Sequence, residues 1–156
     1  MMLKEGEIKI VANNKKASYE YFFMTKYKAG IVLLGTEVKS IRTGKVSMSD
    51  AHCFFRNGEL WLKNVHISEY KNAGNFNHFP KRDRKLLLKK RELKKLEAKL
   101  KEKGLTIIPT MIFFNDRQLV KVEVALSKGK KAYDKKNTIR EKDAKRDLAR
   151  TMSERY

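Results

Sequence analysis

The chain has a single cysteine, Cys53, in 156 residues. No internal disulfide is possible, and a reducing compartment fits. Apolar runs are short: none approaches the roughly 20 residues of a membrane-crossing helix. The opening MMLKEG has no apolar segment of signal-peptide length. These absences predict a soluble, cytoplasmic protein with no membrane partner. Catalytic patterns are missing too. GIVLLGT at 30–36 has the glycine spacing of a phosphate-binding loop, but Thr36-Glu37 stands where the phosphate-binding lysine belongs. His52, His66 and His78 with Cys53 have no metal-ligand spacing. No two carboxylates stand out as an acid and base couple. The expectation is a protein that is not an enzyme, with no catalytic residue, metal or cofactor.

Acidic residues are the other shortage, with 18 Asp and Glu against 37 Lys and Arg, a net charge of +19. Such a surplus calls for a polyanionic partner, with nucleic acid first. Hydrophobic residues make up 41% of the chain, and the length suits one domain with a real core.

Several stretches alternate as strands do. Residues 7–12 place Ile8, Ile10 and Ala12 on one face. Asn14 is a good cap for a short helix over 15–18. Residues 19–24 and the glycine-bounded run 30–35 read as strands, the latter buried. Val38 and Ile41 mark a helical segment that Gly44 ends. Asn57-Gly58 between apolar runs signals a hairpin, because both turn residues need positive φ. Residues 67–80 lack a period and read as a loop. Beyond it the spacing predicts one helix over 83–103, with a stripe of Leu86, Leu93, Leu96 and Leu100. Leu87 falls off that stripe, among Lys90, Arg91 and Lys94. It is either a second packing contact or a contact to a base or sugar. Residues 105–114 read as a strand whose Pro109 marks an edge or bulge. Residues 119–126 alternate, with Val120, Val122, Val124 and Leu126 inward. This pattern predicts a mainly β fold: a closed antiparallel OB-like β-barrel with about three packed helices. A domain at 1–127 is followed by a basic tail at 128–156, disordered or helical.

The polyanion signal is spread along the chain. Cations lie beside Asn14 at Lys15 and Lys16, over 82–95 at Arg84, Lys85, Lys90 and Arg91 among others, and throughout the tail. Tyr70, Phe76, His78 and Phe79 add rings that either stack on bases or pack inward. His52 and His66, in apparent strands, read as half-buried structural residues. In the tail, Ile139, Ala144, Leu148 and Met152 form a sparse helical stripe. That is too little apolar surface to hold a free helix.

Longer strings narrow the partner. NKKA (14–17) with YEYF (19–22), AGIVLLGTEVKSIRTGK (29–45), RKLLLKKREL (84–93), GLTIIP (104–109) and KGKKAYDKK (128–136) occur in one order. Together they resemble the SsrA-binding protein family, SmpB. The resemblance implies an RNA adaptor that binds the tRNA-like domain of transfer-messenger RNA (tmRNA). It implies delivery to stalled ribosomes for trans-translation: rescue of the ribosome and tagging of the nascent peptide for proteolysis. The implied partners are tmRNA, the ribosome at its decoding centre and message channel, and elongation factor Tu indirectly through tmRNA; a monomer is expected. Asn14 and Leu87 match the family's RNA-binding positions, which favours the base or sugar contact for Leu87. The tail, with Lys128, Gly129, Lys130, Lys131, Asp134 and Lys135 matching and Ile139, Arg140, Lys142, Lys145, Arg146 and Met152 following, corresponds to the part that acts in the ribosome; its sparse apolar stripe leads us to expect that it turns helical there. Three departures stand out. Lys28 replaces an acidic residue implicated in RNA binding, Phe79 precedes Pro80 where the family has Asp, and Lys136 replaces an arginine, keeping charge without its bidentate fork. The alternatives are a ribosomal or RNA-chaperone protein without tmRNA selectivity, and an RNA-processing enzyme.

Overall fold

The computed structural model describes residues 3–131 and 140–146. Among the described residues up to Lys131, nine strands and three α-helices follow one another: β1 Lys9–Asn13, α1 Lys15–Glu20, β2 Tyr21–Ile31, α2 Gly35–Arg42, β3 Val46–Ser47, β4 His52–Arg56, β5 Glu59–Lys63, β6 His66–Ile67, β7 Arg84–Leu87, α3 Lys90–Leu100, β8 Leu105–Phe114 and β9 Val120–Gly129. Seven strands form one antiparallel sheet in the order β1-β8-β4-β5-β7-β2-β9. β9 also pairs with β8, so the ladder that leaves β8 through β4 returns to it through β9. β3 and β6 form a separate two-stranded sheet. The interior is lined by Leu60, Leu62, Leu86, Ile107, Ile112, Val122 and Val124, with Ile41 of α2 and Leu96 of α3. Among the described residues, no helix is long and apolar enough to cross a membrane.

Turn chemistry carries through. Asn57 and Gly58 have φ of 52° and 75°, and β4 and β5 pair from Arg56–Glu59 outward. Pro109 sits at a register shift between Pro109 and Met111, within a strand flanked by β1, β4 and β9 rather than at an edge.

Five expectations need correction. The helix over 83–103 is two elements. Arg84 and Leu86 point inward while Lys85 and Leu87 are more open, the period of a strand, and α3 starts only at Lys90. Leu86 therefore belongs to the sheet interior; Leu93, Leu96 and Leu100 remain the packed stripe. The buried strand at 30–35 is also displaced: β2 ends at Ile31, Val32 and Leu34 are exposed, and Gly35 opens α2. β2 alternates Tyr27, Ala29 and Ile31 against Lys26 and Lys28, so its signal lay upstream of the continuous apolar run. At β1, Ile10 and the preceding Ile8 are exposed, because a bulge between Ile10 and Ala12 resets the faces and Val11 packs on the core. Ala125, expected outward, is buried between its partners Ile108 and Lys26 where α1 packs on β8. Finally, the loop at 67–80 contains a 3-10 turn, Lys71–Phe76.

β9 runs on to Gly129, and Lys130 N–H donates to Glu20 O at 2.8 Å. Residues 140–146 are helical and exposed.

Candidate nucleic-acid interface

The ladder registers assemble one outward face. Two residues apart on β7, Lys85 and Leu87 share a side, opposite to Arg84 and Leu86. Lys85 lies across from Trp61, and Trp61 across from Phe54. Leu87 lies across from Gly30, and Gly30 across from Lys121. The Arg56 guanidinium rests 5.2 Å from the ring centroids of both Phe54 and Trp61, and Lys63 Nζ is 5.9 Å from Phe54. Leu87 is 51% exposed. A Cβ on Gly30 would stand 3.3 Å from Leu87 Cβ, so the glycine is what lets the leucine lie flat across β2. The groove beside it is floored by Ile31, Leu33 and Val38 and rimmed by Arg42 and Lys121. An apolar floor with a cationic rim suits a base or ribose flanked by phosphates.

This is a different setting for Leu87 from the basic helix face expected from sequence. The residue is exposed, but its neighbours come from the adjoining strands. Arg56, Trp61, Lys63 and Lys121 were not among the expected site residues. The signal for the first three was available: a two-residue turn at 57–58 pairs position 54 with 61 and aligns 56 and 63 on the same side.

The other expected residues divide into exposed cations and buried braces. Lys15, Lys90 and Arg91 are exposed. Lys16 is exposed and held by Asp50 at 3.0 Å, whose hydrogen bond raises the lysine pKa. Lys85 Nζ is 2.9 Å from Glu59 Oε1. Lys28 points outward opposite Glu123, its Nζ 5.8 Å from the Phe113 ring.

Two of the expected RNA-binding residues are buried. Asn14 is 6% exposed. Its Oδ1 accepts from Ala17 N–H at 3.1 Å, and its Nδ2 donates to Pro109 O and Met48 O at 2.9 and 3.2 Å. Both amide hydrogens are thus used inside the fold, tying α1 to β8. Arg84 is fully buried; it donates to Glu37, to Val65 O at 2.8 Å and to Pro80 O at 3.0 Å. Both side chains are taken up mainly inside the fold.

Glu37 is the buried counter-charge. It takes Arg82 at 2.6 Å and Leu34 N–H at 2.8 Å on Oε1 and Arg84 on Oε2. Burial alone would raise its pKa; the hydrogen bonds from Arg82, Leu34 and Arg84 outweigh it and hold the carboxyl below its ordinary value. The cluster pins the start of α2 to β7, the strand carrying Leu87. His78, for which stacking on a base and packing inward were both open, packs inward as another brace: buried, with Nε2 2.9 Å from Ile67 O and Nδ1 2.8 Å from Thr36 Oγ1. Of the two strand histidines, His52 is half-buried, whereas His66 is exposed at the two-residue strand β6.

At the start of the tail, Lys128 is exposed opposite Phe22, Lys130 Nζ lies 4.8 Å from the Phe22 ring, and Gly129 and Lys131 are exposed. Arg140, Lys142, Lys145 and Arg146 are exposed on the helical stretch, where Arg146 donates to Asp143 at 2.6 Å. Asp134, Lys135, Lys136, Ile139 and Met152 lie outside the described residues.

A model of the family "SmpB protein" matches residues 11–154. The chain belongs to the SmpB family. Relatives named SsrA-binding protein include one from Bacteroides thetaiotaomicron, 51% identical over 148 residues, covering 95% of this chain and 97% of the relative. Another, from Cytophaga hutchinsonii, is 53% identical over 150 residues, covering 96% and 98%. A solved structure described as "tmRNA-SmpB: a journey to the center of the bacterial ribosome" superposes with a TM-score of 0.66 at 45% identity, covering 78% of this chain and 85% of that one. Membership makes the outward face of β2 and β7 the first place to look for RNA.

Proposed function

We propose that this protein binds the tRNA-like domain of tmRNA and delivers it to stalled ribosomes for trans-translation, as an adaptor rather than an enzyme. The observation that carries this reading is the half-exposed Leu87, laid across Gly30 between Lys85 and Lys121, in a chain whose near full-length relatives are SsrA-binding proteins. Leu87 and the groove beside it take a base and its ribose; Lys85, Arg42 and Lys121 take phosphates, with Lys15, Lys16, Lys90 and Arg91 as outlying contacts. Asn14 and Arg84 serve by holding the elements that present these groups. We read the returning strand ladder as a closed barrel of the oligonucleotide-binding type, occupying 1–127. Residues 128–156 are the tail, which reads the decoding region and empty message channel and is helical there. Lys128, Gly129, Lys130 and Lys131 lead into it from the end of β9, and elongation factor Tu meets the protein only through tmRNA. The setting is cytoplasmic and the acting form a monomer.

Replacing Leu87 with Asp puts a carboxylate among phosphates. Affinity for a transcript of the tRNA-like domain is expected to fall roughly tenfold to hundredfold, with the thermal midpoint nearly unchanged because the side chain is half-exposed. Wild-type affinity in the folded variant would refute the site. Equal wild-type affinity for the transcript and for bulk tRNA would return the protein to a general RNA chaperone.

A further inference from the structure

The loop between β6 and β7 presents two phenylalanines to solvent, Phe76 at 91% and Phe79 at 70% exposure. They are not loose. Asn77 bridges the loop twice to Tyr70, accepting from Tyr70 N–H at 2.8 Å and donating to Tyr70 O at 2.7 Å. His78 is buried between them. A carbonyl only accepts, so Nε2 carries the hydrogen bonded to Ile67 O, and in the neutral ring Nδ1 accepts from the Thr36 hydroxyl. The two polar residues pin the loop to itself and to α2, and the two rings on either side face outward. A backbone held this way loses little freedom on binding, and each ring has a large apolar face to cover.

The charge around the rings selects the partner. Lys71 and Lys81 lie within 70–82, a stretch with no Asp or Glu of its own; exposed Glu69 adjoins it on one side, and Arg82 is committed to buried Glu37 at 2.6 Å. On the other side Asp83 is turned toward Arg56 at 3.6 Å. A ligand for this loop is flat, apolar on its faces and negatively charged beside them. We propose that Phe76 and Phe79 stack on an unpaired nucleotide base of an RNA, with Lys71 and Lys81 on its phosphates, as a second contact separate from the Leu87 face. An unpaired base is required because a duplex hides base faces in its own stack. The assignment rests on the reading of the protein as an RNA adaptor and adds a site to it.

The base comes either from tmRNA or from the ribosome, and two probes separate these. The full-length protein, its Phe76→Ala/Phe79→Ala variant and its Phe76→Tyr/Phe79→Tyr variant are each titrated onto a transcript of the tRNA-like domain and onto purified ribosomes. On the probe that supplies the base, the alanine pair binds roughly 5- to 100-fold more weakly and the tyrosine pair within about twofold. Ultraviolet cross-linking then joins nucleotides to the peptide at 72–81. Both rings are exposed, so denaturation midpoints stay put. An alanine pair that binds both probes like wild type overturns the inference, and so do cross-links to ribosomal protein in place of RNA. Wild-type protein with no preference for the transcript over bulk tRNA sinks the adaptor reading instead; the ribosome arm still decides the loop.

Discussion

At the scale of single residues, Glu37 holds the largest electrostatic stake in the fold. It is fully buried and meets two arginines, one of them also fully buried. Removing one member of such a cluster leaves the rest unpaired, a loss of roughly 3–5 kcal/mol. Its folded pKa lies below the ordinary 4.5, so its contribution is full above that value and lost as pH falls through the lower folded one. Glu37→Gln is therefore expected to lower the urea midpoint at neutral pH and to flatten the loss of stability expected of wild type as pH falls below 4.5. Parallel pH profiles for the two proteins would remove Glu37 from that role. Sequence does not disclose this cluster: Glu37, Arg82 and Arg84 look like ordinary solvated charges until β7 and α2 are brought together. Asn14 is the mixed case. Its capping role is readable from type and position, but its two bonds to Pro109 and Met48 come from distant parts of the chain.

Among elements, the close approach of β2 and β7 decides how Leu87 is shown. The added methyl of Gly30→Ala would press on Leu87 Cβ, an atom fixed to the neighbouring backbone. The strands must part by a few tenths of an ångström, at about 1 kcal/mol, and RNA affinity should fall several-fold as Leu87 tilts. The same change made in a Leu87→Ala background should cost no further affinity, since the pair acts as a unit. Additive losses in that double-mutant cycle would mean that Gly30 acts on the RNA by some other route. The hairpin of β4 and β5, its turn and the alternation of β9 were legible because period and turn chemistry are local. β7 was not. Three consecutive leucines followed by a helical stripe match both periods, and only the ladders to β2 and β5 choose the strand. The groove is hidden for the same reason: Gly30, Leu87 and Lys121 sit far apart in sequence and meet through register alone.

For the whole molecule, the placement of charge separates the work of the body from that of the tail. Residues 132–156 hold eight Lys and Arg against five Asp and Glu, a net +3, so +16 of the total +19 lies on 1–131. The tail is dense in charge of both signs but is not the main store of positive charge. Binding of a polyanion scales with the phosphates neutralised, so the body should keep most of its affinity alone. β9 continues to Gly129 and Lys130 is tied back to α1, which sets the cut after Lys131 rather than before Lys128. Truncation there is expected to leave the unfolding midpoint unchanged and affinity for the tRNA-like transcript within about threefold, a shift of ~0.6 kcal/mol. Tagging of a peptide on ribosomes stalled without a stop codon should be abolished, because on the proposed reading the helical stretch with exposed Arg140, Lys142, Lys145 and Arg146 serves the ribosome rather than tmRNA. Retained tagging by the truncated protein, measured with tmRNA and a message lacking a stop codon, would confine the adaptor function to residues 1–131.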